Sequence, residues 1–514
     1  MRWWLAPALA LIAGLAAAPP ASGFDLESVA GAELTNLLSP APGRGATLIT
    51  VHDATVGRPI PPGFVGLSLE YPTIEPYAGG DPAAVNPVLV HLIAGLAPGQ
   101  RPVLRIGGDS TDWAWWPFAH MRKPVGIRIV LTPRTAAVLG ALAGALRARL
   151  ILGINLEANS QRLAALEARQ LIRRVGPRWV EALEIGNEPE LYGRWPWLDR
   201  HGHRVIARPA GYDLAGYIRD FRGVAGALPP VGLAGPALGG PRWIRSIGEF
   251  IAGAPRLRVV TVHTYPLQRC YTPLVAPTYP TIAHLLAPSA SRGLAGRLAA
   301  AVAVAHAHGL PLRVDEMNSV SCGGAHRVSD TFASALWALD TMFALARVGV
   351  DGVNLHTFQT ATYRLFGTAR RAGRWRASVA PEYYGLLLFA RSAPPGSRLL
   401  RVSGAAGSLR AWATRTPAGS EHIVLINDSE RARVIVVQIP GRPGWAAYEA
   451  LRAPGFSSRS GISLGGVGFG SFTETGVLPA PDPVRLHPVD GGYVLRVPGA
   501  SAVTLSLPAR SPGL

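Results

Sequence analysis

Eight short apolar runs recur through the first three quarters of the chain, and longer segments with helical periodicity separate most of them. The runs cover 64–70, 103–106, 150–156, 180–186, 231–234, 257–263, 312–316 and 352–356. The helical segments include 133–148, 159–175, 213–227, 291–308 and 329–348, with Ser329-Asp330 expected to cap the last. Continuous apolar runs of this length suit strands buried on both faces, as in parallel sheets. Eight such strands alternating with helices over about 330 residues predict a (β/α)8 barrel. A doubly wound open sheet is the competitor, and it calls for a Gly-rich phosphate turn after the first strand. The only Gly-Gly turn near a strand end, Ile106-Gly107-Gly108-Asp109-Ser110, lacks the GxGxxG spacing.

From about Arg391 the texture changes. Runs at 409–414, 422–427, 434–439, 493–497 and 502–507 are short, rich in β-formers and separated by Gly, Pro, Asn and Ser. They predict a β-sandwich. An early run, 47–51, has no place in the barrel and is expected to complete that sandwich. The expected organisation is an export signal over 1–23, an N-terminal segment over 24–62, a catalytic barrel over 63–390 and a β-sandwich over 391–514. Arg2, the apolar stretch 3–18 and the small residues Ala21-Ser22-Gly23 carry the signal reading, with a mature start near Phe24. An uncleaved anchor is the alternative, though the run is short for a membrane span.

A net charge of +18 is compatible with an acidic partner such as a uronic-acid glycan. Lys123 is the only lysine, and the arginines form no dense tract interleaved with aromatics, which argues against nucleic acid. The two cysteines, Cys270 and Cys322, permit one disulfide or two free thiols. They follow the sixth and seventh strands, so adjacent loops would bring them together, which favours the disulfide.

A barrel carries its active site at the C-terminal ends of its strands. Read in order, those ends hold Glu70; Gly107-Gly108-Asp109; Asn155 and Glu157; Asn187-Glu188; Gly235-Pro236; His263-Thr264-Tyr265; Glu316 and Asn318; and His356. A polar group at nearly every strand end is more than chance supplies. Within Glu184-Ile185-Gly186-Asn187-Glu188-Pro189-Glu190, only Glu188 sits at the tip. Glu184 lies inside the strand, and Glu190 lies past the proline. Glu188 on strand four and Glu316 on strand seven would face each other, the arrangement two glycosidase carboxyls require. Asn187 is placed to meet a sugar hydroxyl, and Tyr265 to hold Glu316 ionised.

These residues resemble clan A glycoside hydrolases and, within them, glycoside hydrolase family 79, the group of bacterial β-glucuronidases and heparanase-like enzymes. The resemblance rests on Leu104-Arg105-Ile106-Gly107-Gly108-Asp109-Ser110, Glu184–190 with Leu191-Tyr192, Asp315-Glu316-Met317-Asn318-Ser319 and Gly465-Gly466-Val467-Gly468-Phe469-Gly470. It implies Glu188 as acid/base and Glu316 as nucleophile, with Glu70, Asp109 and Asn187 lining the sugar subsite. It further implies that Gly323, Gly324 and Tyr363 hold a uronic carboxylate; Arg327, Arg364 and His326 are basic alternatives nearby. The implied activity is an exported, retaining exo-β-glucuronidase acting on a carbohydrate substrate, with no metal and no organic cofactor. An endo-acting, heparanase-like hydrolase or another clan A exo-glycosidase is the alternative, and a non-catalytic glycan-binding barrel the different class. The tryptophans of 113–116 and Trp195-Pro196-Trp197 are expected to wall the pocket, favouring exo action.

Overall fold

The computed structural model describes residues 45–441, 444–482 and 484–509. The expected export signal and residues 24–44 lie outside them. All eight expected strands form one closed parallel barrel: β1 (Val65–Glu70), β2 (Val103–Gly107), β3 (Arg149–Ile154), β4 (Val180–Ile185), β5 (Leu233–Leu238), β6 (Leu257–Thr264), β7 (Leu312–Met317) and β8 (Gly352–His356). The ring closes where Leu233 of β5 pairs with Leu183 of β4 and Val353 of β8 pairs with Val65 of β1.

The shell helices start where short polar side chains satisfy free N–H groups. Thr132 accepts from Thr135, Ser160 from Leu163 and Asp213 from Gly216, each opening a helix of 14 or 15 residues. The helix Phe332–Arg347 departs from expectation. Its N-cap is Thr331, whose hydroxyl donates to the Val328 carbonyl. Ser329 is instead spent on Ser319 and Ala325, and Asp330 on the Arg327 N–H and Arg459, so neither caps the helix. β5 also differs, running past Pro236 to Leu238 instead of ending at Gly235-Pro236. The ladder to β6 shifts register beyond Pro236, which has no N–H to give, and the Ala237 N–H donates to the Thr261 hydroxyl.

The sandwich is a mixed ten-stranded sheet that curls around one core of Ile49, Val51, Ile423, Leu425, Ile435, Tyr493 and Leu505, among others. The early strand, Thr47–Val56, lies between Arg398–Ser403 and Arg433–Gln438. It joins the sheet as expected, although it precedes the entire barrel in sequence. Strands Arg398–Ser403 and Ala446–Arg452 were not legible as such, nor was the helix Pro381–Ser392, which leads from the barrel to the sandwich. That helix is buried along nearly its whole length, so it has no polar stripe to betray its period. Barrel and sandwich share one continuous apolar core: Phe343 stacks on Trp412 at 5.6 Å, and the Trp412 indole donates to Asp340 at 2.8 Å.

Candidate active site

The C-terminal mouth of the barrel is organised by a residue that had no assigned role. Arg105 points inward from β2 and is fully buried. Its guanidinium donates to Glu184 at 2.7 Å, to Glu316 at 2.6 Å, to Asn187 at 2.8 Å and to Ser68 at 3.2 Å, and lies 3.5 Å from Asp315. A buried cation needs this many partners to offset lost hydration. Glu184 therefore points into the barrel. Burial works against its charge, but Arg105 holds its carboxyl below the ordinary range. Asp315 is pushed well above the ordinary range by burial and by Glu184, so it stays neutral.

Glu316, at the end of β7, accepts from the Tyr265 hydroxyl at 2.8 Å as well as from Arg105. The expected Tyr265 contact is present. His356, from β8, lies 3.3 Å from Glu316 and 3.4 Å from Glu70. Burial opposes the Glu316 charge, yet His356 and Arg105 together hold its carboxyl well below the usual range. Burial likewise opposes the His356 charge, but Glu316 and Glu70 raise it to about 10. At neutral pH the floor of the site thus sets the cations Arg105 and His356 beside the anions Glu184 and Glu316. An ionised, oriented Glu316 is what a carboxylate nucleophile requires.

Glu188 stands across the mouth. Its backbone adopts φ +47° in the left-handed region, a strained conformation for a residue other than glycine. Its N–H donates to the Ala237 carbonyl at 3.0 Å, which ties the tip of β4 to the end of β5. His263 Nδ1 lies 3.0 Å from Glu188 Oε1, and His263 Nε2 lies 3.3 Å from the Arg105 guanidinium. A guanidinium can only donate, so Nε2 accepts, Nδ1 carries the proton and donates to Glu188. Arg105 thereby sets the imidazole tautomer beside one carboxyl while it holds the other. Glu188, His263 and Glu316 each bring a polar atom within 4.8 Å of the other two. That spacing would also suit a metal trio, but here Glu316 already faces the Arg105 cation.

Glu70 accepts from the Ser110 N–H at 2.9 Å, and a side chain at Gly108 would collide with its carboxylate, so the Gly-Gly turn exists to let Glu70 approach. Asp109 faces the open mouth, and Asn187 Nδ2 donates to it at 3.5 Å. Enclosure by the pocket walls, then the charges of Glu70, Glu188 and Glu316, raise Asp109 to about 8. Asp112, also without an assigned role, accepts from the N–H groups of Leu156, Glu157 and Asn187 and from the Tyr192 hydroxyl, bracing the tips of β3 and β4. Glu190 is structural: it accepts from the Gly240 N–H, and burial and Glu188 raise it to about 7.

Cys270 and Cys322 are disulfide-bonded, joining the β6 and β7 loops. The bond braces the turn 321–324, where the Gly323 carbonyl accepts from the Thr362 N–H. The Gly324 N–H turns inward to the Ser321 carbonyl, and the Gly324 carbonyl accepts from Arg269. A Cβ at Gly324, whose φ is +88°, would lie 3.0 Å from the Tyr363 ring. The glycine admits Tyr363 to the site floor, where its hydroxyl lies 3.2 Å from His356. Of the basic alternatives, Arg364 donates to the Gln359 carbonyl and His326 lies against Asp330, both on the surface; the Arg327 side chain is likewise exposed. Of the tryptophans expected to wall the pocket, Trp115, Trp116 and Trp197 are buried, Trp113 is partly buried and Trp195 is largely exposed. Trp115 and Trp197 pack with Ile127 and Leu163, an apolar cluster more stable than a solvated wall.

The Arg105 role was detectable in principle: a lone charge amid the strand Val103-Leu-Arg-Ile-Gly must face partners inside the barrel. The tautomer relay through His263 needed the assembled geometry.

No family profile matches the chain. It is 24% identical over 404 residues to a β-glucuronidase of Neurospora crassa, which covers 68% of this chain and 67% of that relative. Among solved structures, a 4-O-α-L-rhamnosyl-β-D-glucuronidase from Fusarium oxysporum in complex with Rha-GlcA superposes with a TM-score of 0.67 at 17% identity, covering 89% of this chain and 100% of the other. A GH51 arabinofuranosidase from Xanthomonas axonopodis pv. citri gives 0.62 at 15% identity, covering 90% and 100%. These likenesses establish the barrel-plus-sandwich fold.

Proposed function

We propose that this chain is a glycoside hydrolase that releases glucuronic acid or its 4-O-methyl form from β-glucuronides with retention of configuration. The observation that carries the reading is the pair Glu188 and Glu316. Their nearest oxygens lie within 4.8 Å, on the ~5–5.5 Å side of the division between retaining and inverting pairs. Glu316 attacks the anomeric carbon as its carboxylate, while Glu188 protonates the departing oxygen. Water activated by Glu188 then releases the sugar. His263, donating to one Glu188 oxygen, leaves the other to carry the proton.

Glucuronide specificity is supported by the Neurospora crassa relative and by a floor that pairs Tyr363 with the charged His356 beside the disulfide-braced turn 321–324. Export fits this reading, since the Cys270–Cys322 bond suits an oxidising compartment. N-terminal sequencing of the cultured, secreted protein should begin near Phe24.

A panel of nitrophenyl β-glucuronide, glucoside, galactoside and xyloside tests the reading. The glucuronide should be the preferred substrate, the first-released sugar should be the β anomer, and Glu316→Ala should abolish turnover. Preference for a neutral sugar would discard the specificity and spare the carboxyl pair. An α product would discard the retaining mechanism.

A further inference from the structure

The acid must stand beside the bond it protonates, so the leaving group lies against the open side of Glu188. That side is bordered by the β4 and β6 loops. Trp195 sits on the β4 loop seven residues after Glu188, its N–H bound to the Leu191 carbonyl at 2.7 Å. Tyr271 sits on the β6 loop next to Cys270, whose disulfide anchors it. The two rings meet edge to face at 5.6 Å, yet Trp195 is 52% and Tyr271 58% exposed. Both loops leave the C-terminal ends of their strands, and the disulfide ties the β6 loop to the loop that follows Glu316, which puts Tyr271 on the mouth side of the barrel.

The β6 loop is apolar beyond Tyr271. Leu274 and Val275, further along the same loop, are 74% and 94% exposed. Across 271–275 the only side-chain polar groups are the Tyr271 and Thr272 hydroxyls, and Thr272 is paired with Thr278 at 3.4 Å. The stretch 271–275 offers a second sugar few partners for its hydroxyls, whereas a flat apolar group would gain area and ring contact. Exposed aromatics held on braced loops beside a reaction centre are costly to leave bare and mark a binding surface.

We propose that Trp195 and Tyr271 form a leaving-group subsite for a flat apolar aglycone, an aryl or arylalkyl alcohol, and not for a further charged sugar. The inference rests on the glucuronidase reading above.

Kinetics on 2-phenylethyl and ethyl β-glucuronide test it, because both release primary alcohols of similar leaving ability. The wild type should favour the phenylethyl substrate in kcat/KM by about tenfold, the order expected of one aromatic contact. Trp195→Ala and Tyr271→Ala should each collapse that ratio toward one, mainly through KM for the phenylethyl substrate. Tyr271→Phe, which keeps the ring, should retain it. An active enzyme whose ratio is unchanged in both alanine variants overturns the inference and leaves the activity standing. So does a loss confined to a glucuronosyl disaccharide, which would make the rim a sugar site. A wild type inactive on every glucuronide overturns the activity and the inference together.

Discussion

Arg105 shows how one side chain can set the chemistry of two others. It neutralises Glu316 and Glu184 and fixes the proton of His263 that faces Glu188. Replacing it by an apolar residue of similar length strands two buried carboxylates. Arg105→Met should lose about 3–5 kcal/mol of stability in denaturant unfolding. The sign of the pH effect follows from Glu316. Its pKa is held low, so activity and its stabilising contribution survive until pH falls through that low value. Without Arg105 the pKa rises, and the acid limb of kcat/KM should move to higher pH. An unmoved limb would falsify the role given to Arg105; Arg105→Gln, which removes the charge but keeps a donor, covers the case in which the methionine variant does not fold. Asp109 has the opposite sign. Raised to about 8, it is neutral at pH 7 and becomes an anion above pH 8 beside Glu70, Glu188 and Glu316. KM for a glucuronide should therefore climb on the alkaline side, and Asp109→Asn should flatten that climb.

At the level of elements, the barrel holds the site in place through its strand tips and loops. β4 ends in a strained Glu188 because three contacts hold it there: the Ala237 carbonyl behind it, His263 beside it, and Asp112 on the preceding Asn187. The β6 and β7 loops are tied by a disulfide that closes a 52-residue segment. By loop-closure entropy that bond contributes on the order of 4 kcal/mol, less whatever order the unfolded chain retains. Replacing both cysteines by serine should lower the unfolding midpoint accordingly. If the turn 321–324 meets the substrate carboxylate, the same variant should raise KM severalfold while kcat changes little. A fall in kcat alone, with KM unaltered, would place the turn outside the sugar subsite. The strand pattern that made these elements legible is strongest where strands are buried on both faces, as in β1 and β2. It fails for the helix Pro381–Ser392, which has no solvated side to break its apolar run.

For the molecule as a whole, barrel and sandwich pack through a common core. The shared core passes from Phe343 through Trp412 into the sheet, and the Tyr384 hydroxyl accepts from the Phe469 N–H across the same boundary. Thr47–Val56 further binds the start of the chain into the sheet that ends it. Trp412→Ala removes a large buried ring and the indole bond to Asp340, and should cost about 3–5 kcal/mol. Calorimetry should show one transition shifted to lower temperature. Two separated transitions would mean that the domains unfold independently. Overall shape also decides substrate access. Trp115, Trp116 and Trp197 fold inward, while Trp195 stays exposed against Tyr271.

The sequence alone determined the barrel, its eight strands, the late sheet with its early strand, and the candidate pair Glu188 and Glu316. Each of these follows from local patterning: apolar runs of strand length, turn residues at their ends, and a proline that stops β4 just past a carboxylate. Tertiary structure decided what those carboxyls are. Whether an acid is ionised depends on the charges within a few ångströms, and those come from β2, β6 and β8, which are far apart in the chain. Arg105 and Glu316 are 211 residues apart in sequence and 2.6 Å apart in space. Charge pairing of that kind leaves no periodicity for a sequence to display, and closing the barrel is what brings it about.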